Sequence, residues 1–137
     1  MNFNIDKCSL INVPLISDER GSLVYYEFEK EFNFPILRNY VIFNVPPEHT
    51  RGHHAHKSLE QIIICLHGTF DVEIFDGKNS RLISLSGPNM ALYICPMIWR
   101  VMKNFSDNAV CSVLASQKYD ENDYIRDKNV FLKSVLE

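Results

Sequence analysis

Seven residues, TFDVEIF at 69–75, constrain the fold most: Phe70, Val72 and Ile74 are apolar, and Asp71 and Glu73 between them are acidic. A period of two sends alternate side chains to opposite faces, so this run is a strand with one buried and one wetted face. Short β-type runs recur at 8–16, 22–27, 39–45, 61–66, 80–85, 92–94, 100–104 and 110–115, the first interrupted at Pro14. Turn residues punctuate them at 18–21, at His67-Gly68 and at Asp76-Gly77. Only the tail beyond Tyr119 reads as helical, with Tyr124, Ile125, Phe131, Leu132 and Val135 loosely at helical spacing. Many short strands at regular intervals imply an all-β sandwich or barrel, a jelly roll, carrying a short C-terminal helix. The 137 residues fit a single domain spanning 1–137.

Composition narrows what such a domain binds. A net charge of −3 argues against broad binding to nucleic acid or anionic lipid, leaving room only for a local basic site. No run approaches eighteen apolar residues, and the N-terminus has no apolar signal core, so neither membrane nor secretion is expected. Cys8, Cys65, Cys95 and Cys111 are far apart, the last three inside apolar runs. They read as reduced, core-packing thiols, which point to the cytoplasm.

The chemistry concentrates in EHTRGHHAHKSLEQ, where His49, His53, His54 and His56 fall within eight residues. In an extended strand His54 and His56 share a face with Ala55 opposite, so two imidazoles converge if that face looks inward. Gly52, His54, His56, Gln61 and Gly68 are spaced as G-x-H-A-H-x4-Q-x6-G, and this resembles the first motif of the cupin superfamily of jelly-roll barrels. PMIWRVMKN, from Pro96 to Asn104, resembles the second. Metal cupins place a Glu at the position of Gln61 and a histidine at that of Arg100. Here an amide, a weak ligand, and a guanidinium with no lone pair replace them. No metal and no cofactor is therefore expected, and the histidines are left to proton transfer or hydrogen bonding.

A closer resemblance runs over roughly residues 10–127. D-x-R-G-S-L from Asp18, R-G-x-H-A-H-K from Arg51, Gln61, L-Y-I-x-P-x-x-W from Leu92, and Y-D-E-x-D-Y-I-R from Tyr119 are similar to the WxcM-like sugar 3,4-ketoisomerases acting on dTDP-4-oxo-6-deoxy-D-glucose. The resemblance implies a metal-free isomerase: a base removes the C3 proton, an enediol or enediolate forms, and a proton returns at C4, leaving the ketone at C3. His54 and His56 map onto the family's active-site pair, His54 moving the carbon-bound proton and His56 serving the sugar oxygens, with the two roles exchangeable. Arg51 and Lys57 are candidates to neutralise the pyrophosphate, Arg51 foremost. Arg38 and Tyr40 fall on a cavity-lining strand, Gln61 and Arg100 join the substrate site, and Tyr93 and Trp99 are candidates to stack on sugar or thymine. The segment 119–126 reads as structural, closing the barrel mouth.

Members of the family differ in the C4 configuration of the product. Arg20 agrees with the galacto type, whereas Arg100 stands where that type tends to carry histidine. Arginine is too weak an acid to protonate C4, so the gluco product is favoured. The galacto epimer, or a sugar-binding cupin without catalysis, are the alternatives. The resemblance further implies a homodimer, with the N-terminal segment CSLINV a candidate for exchange. It also implies a place in 3-amino-3,6-dideoxysugar synthesis for a surface glycan.

Overall fold

The computed structural model describes residues 3–28 and 32–136. After a 3-10 turn at Ile5–Lys7, strands run β1 Ser9–Asn12, β2 Leu15–Asp18, β3 Gly21–Val24, β4 Arg38–Phe43, β5 Arg51–His56 and β6 Gln61–His67. They continue as β7 Phe70–Phe75, β8 Ser80–Leu85, β9 Met90–Ile94, β10 Trp99–Lys103 and β11 Val110–Ala115. A second 3-10 turn (Glu121–Asp123), β12 (Tyr124–Ile125) and helix α1 (Lys128–Leu136) complete the chain.

Two antiparallel five-stranded sheets carry the fold, ordered β1-β9-β6-β11-β4 and β12-β5-β10-β7-β8, and β2 and β3 form a separate hairpin. From β4 to β11 the chain alternates between the sheets, staying within one only at the β7–β8 hairpin, which is the crossing pattern of a jelly roll. The all-β cupin fold expected from the sequence is thus observed. The alternating run at 69–75 behaves as its pattern dictates: Phe70, Val72 and Ile74 are buried and Asp71 and Glu73 are not. They meet Ile63, Cys65, Leu92, Ile94, Cys111 and Val113 from the other sheet in the main core.

Both outer faces are covered as well. On one, Tyr26, Phe28, Phe32 and Phe34 pack over Ile62, Ile64 and Ala91. On the other, α1 lays Phe131 against Trp99, with Ala55 and Ile125 in the same cluster. The four cysteines are free and buried, including Cys8 near the terminus, whose Sγ lies 3.9 Å from that of Cys95.

The interruption expected at Pro14 divides 8–16 into β1 and β2, because Pro14 has no N–H to continue the ladder. Two local expectations are corrected. The strand at 22–27 stops at Val24, as Tyr26 leaves to pack on the sheet and donate its hydroxyl to the Pro88 carbonyl at 2.7 Å. The tail is helical only from Lys128. Asp127 caps the helix by accepting from the Asn129 and Val130 N–H groups, while Tyr124 and Ile125 pair as a strand with His56 and Ala55.

Phe131 is fully buried between α1 and the sheet. Phe131→Ala is expected to destabilise the protein by about 3 kcal/mol, the usual cost of emptying a buried aromatic site, read as a lowered urea midpoint.

Candidate active site

β5 ends with its two histidines on the inner side. A bulge opposite Arg100 and Val101 precedes them, with Gly52 at φ +93° and His53 at φ +55°. A Cβ on Gly52 would lie 2.9 Å from the Arg100 carbonyl oxygen, so only glycine lets β5 approach β10 here. Beyond the bulge His54 stands directly opposite Arg100.

Around His54 lies a cavity of about 450 Å³, lined by Arg38, Tyr40, Arg51, Gln61, Arg100, Tyr124 and Arg126 among others. Four guanidinium groups thus line one cavity in a chain whose net charge is −3. Arg126 is held by Glu121 at 2.6 Å and lies 4.1 Å over the Tyr124 ring. Arg38 sits over Tyr40 at 5.2 Å, and its Nε and Nη2 are buried without a protein partner. Unpaired buried donors of this kind are costly unless a ligand accepts from them.

The His54 Nδ1–H is donated to the Gly52 carbonyl at 2.9 Å, which leaves Nε2 as the lone-pair nitrogen. Burial, and then the Arg100 charge, lower its pKa from 6.5 to about 4. His56 is buried behind it, the two ring centroids 4.9 Å apart, with Tyr124 at 5.0 and 4.4 Å from His54 and His56. Burial, Arg100 and His54 lower the His56 pKa to about 2. Neutral His56 donates Nδ1–H to Asp123 at 3.2 Å, and its Nε2 is buried without a partner. Asp123 also accepts from the Ser58 N–H and hydroxyl and the Leu59 N–H, tying the turn after β5 to the 3-10 turn.

At the cavity base Arg100, 2% exposed, donates to the Ile98 carbonyl and to Gln61 Oε1. Gln61 Nε2 in turn donates to the Tyr40 hydroxyl at 3.1 Å. The residues at the two metal-cupin positions therefore do not fit a divalent cation, because the amide oxygen is engaged and its partner is itself a cation. Among the described residues no three His, Cys, Asp or Glu side chains gather as ligands elsewhere.

Of the residues singled out in the sequence, the structure brings Arg38, Tyr40, Arg51, His54, Gln61 and Arg100 to the cavity, with His56 in the layer behind. Four lie elsewhere. Trp99 points to the opposite face of β10 from Arg100 and packs on Phe131. Tyr93 stacks on Phe32 at 4.5 Å and donates to Glu60 at 2.6 Å on the outer face of the other sheet. Lys57 is exposed and donates to the Asn122 carbonyl, and Arg20 pairs with Asp18 at 2.6 Å on the β2–β3 hairpin. Asp123, Tyr124 and Arg126, read from the sequence as part of a structural segment closing the barrel mouth, also belong to the site. Their motif was visible, but nothing in the spacing joined it to β5.

The family model described as "FdtA: WxcM-like, C-terminal" matches residues 6–136. The chain belongs to this family. A relative from Aneurinibacillus thermoaerophilus named TDP-4-oxo-6-deoxy-alpha-D-glucose-3,4-oxoisomerase is 45% identical over 126 residues, covering 92% of this chain and 91% of that one. The TDP-quinovose 3,4-ketoisomerase WlaRB from Campylobacter jejuni is 47% identical, with a TM-score of 0.86 over 92% of this chain and 97% of its own. A variant of the 3,4-ketoisomerase QdtA from Thermoanaerobacterium thermosaccharolyticum, solved in complex with TDP-4-keto-6-deoxyglucose, is 36% identical with a TM-score of 0.90, covering 94% of each chain. Like these members of the family, the chain is an isomerase.

Two buried histidines with depressed pKa values make stability depend on pH. Unfolded imidazoles bind protons below about 6.5, and the folded ones do so only near 4 and below, so stability falls as pH drops through that window. The urea midpoint is expected to be lower at pH 5 than at pH 7.5, with a shallower dependence in the doubly substituted His54→Asn, His56→Asn protein. Gly52→Ala is expected to lower activity more than stability, by pushing β5 off β10 beside His54; kcat and the unfolding midpoint measured together check this.

Proposed function

We propose that this isomerase converts dTDP-4-oxo-6-deoxy-D-glucose to dTDP-3-oxo-6-deoxy-D-glucose without a metal or cofactor. The observation that carries the reading is the His54 Nε2 lone pair, presented by a neutral imidazole to an arginine-lined cavity. A proton α to a ketone is acidified by conjugation, and a fixed imidazole within reach is a competent base for it. The negative charge that then develops on the sugar oxygen meets the Tyr40 hydroxyl, a donor set in place before reaction, with the buried Arg100 charge behind it. Arg38 and Arg51 suit the pyrophosphate, Arg38 by its unpaired buried donors and Arg51 by its place on the cavity wall. His56, held as the Nδ1–H tautomer, backs the site from behind. The C3 ketone so formed is the kind of group a 3-aminotransferase consumes.

The gluco configuration at C4 is supported by Arg100, which cannot serve as a proton donor, and by the likeness to the relative named for TDP-quinovose. A homodimer is supported by the β2–β3 hairpin. It is a sheet of its own, Leu15, Ile16 and Leu23 are each at least half exposed, and an isolated two-stranded hairpin is marginal in water. In the single chain β1 pairs with β9, so it is the hairpin, rather than the CSLINV segment, that is left to reach a second copy.

Incubation with the 4-oxo sugar in D2O is expected to give a 3-oxo product with solvent exchange confined to C3 and C4. Binding of the sugar with neither exchange nor product would refute catalysis. His54→Asn should lower kcat by at least about 100-fold while TDP still binds. Arg100→His should divert product toward the galacto epimer, and an unchanged H4 coupling in product formed in H2O would count against that role.

A further inference from the structure

Arg100, Gln61 and Tyr40 form a hydrogen-bonded chain whose direction is fixed by its first member. Arginine carries donors only, so the atom of Gln61 facing Arg100 is the amide oxygen. The amide nitrogen must then face Tyr40, and it does so at 3.1 Å. A nitrogen of a neutral amide donates, so the Tyr40 oxygen accepts, and its own O–H proton is free to point into the cavity that the ring lines. The register explains how the three meet. β11 lies between β4 and β6, with Ala115 opposite both Arg38 and Gln61 and Val113 opposite both Tyr40 and Ile63. Over the small Ala115 side chain the Tyr40 ring reaches diagonally to Gln61.

We infer that Gln61 is a positioning residue that passes the polarisation of the buried Arg100 charge to Tyr40 and turns the phenolic hydrogen toward the oxygen on which charge develops. This rests on the ketoisomerase reading and deepens it. The Arg100 guanidinium is committed to the Gln61 oxygen and the Ile98 carbonyl. Delivered through an amide and a phenol, its charge acts through one oriented donor, and aligned bonds in a low-dielectric interior reinforce one another. The same chain accounts for the sequence departure that sets this protein apart from metal cupins: a Glu at position 61 would accept from both neighbours.

That reversal is the test. Gln61→Glu keeps the side-chain volume and the acceptor for Arg100, but its second oxygen captures the Tyr40 hydrogen and turns it away from the cavity. The expected result is a kcat lowered about 100-fold, the usual cost of losing one oxyanion donor, with KM within about twofold of wild type. Tyr40→Phe should lose a similar factor, and the double variant should lose no more than either alone. In protein carrying 13C-labelled tyrosine, the Tyr40 phenol should titrate at higher pH in Gln61→Glu than in wild type. Wild-type kcat in Gln61→Glu, or losses that multiply in the double variant, would overturn the inference. If wild type itself fails to isomerise the sugar, the ketoisomerase reading falls, and an unmoved phenol titration then overturns the relay independently.

Discussion

The site is organised around one charge removed from water. Arg100 projects from the start of β10 into the space between the two sheets, where burial disfavours the charged form. It persists there because carbonyl and amide oxygens accept its hydrogens. Its neighbours take their states from that charge. It contributes to holding His54 and His56 neutral, and it orients the Gln61 amide and thereby the Tyr40 hydroxyl. A single guanidinium thus reinforces what burial does to the base and sets the direction of the donor.

The jelly roll makes this affordable. Two sheets covered on their outer faces as well as packed together leave β5, β6 and β10 rigid on both sides, so polar groups within the barrel keep fixed partners. The 3-10 turn and β12 close the arrangement: Asp123 reaches His56 and the turn after β5 at once, and Tyr124 and Arg126 continue onto the cavity wall. What sequence suggests is a structural tail is therefore also the outer part of the site.

The strand pattern and the jelly roll were legible in the sequence, because period-two alternation is a local signal, and the placing of His54, Gln61 and Arg100 on one cavity was legible in the motif spacing. The same periodicity, applied strictly, would have excluded Trp99. Adjacent residues on a strand face opposite ways, so Trp99 and Arg100 cannot both line one cavity, and burial of both reflects the helix packed outside. Tyr93 misled for a related reason: its sheet buries aromatic residues on its outer face, under Tyr26, Phe28, Phe32 and Phe34, which are distant in sequence. Asp123 was invisible because its partner is 67 residues away, a separation that only the closed fold resolves. Arg20 lies on the β2–β3 hairpin, where it pairs with Asp18 away from the cavity, and a short motif carries no signal of that distance.

The bulge at Gly52 and His53 has a consequence for how the strand is counted. A regular strand repeats every two residues, so Arg51 and His54, three apart, would face opposite sides of the sheet. The extra residue adds one odd step: Arg51 stands opposite Met102 and His54 opposite Arg100, two residues apart on the partner strand and on one face. The cation and the base thus share a cavity through an insertion rather than through alternation. Held in an unbroken ladder with no bulge, the same four residues would turn the arginine to the far side, leaving a more regular sheet with an incomplete site.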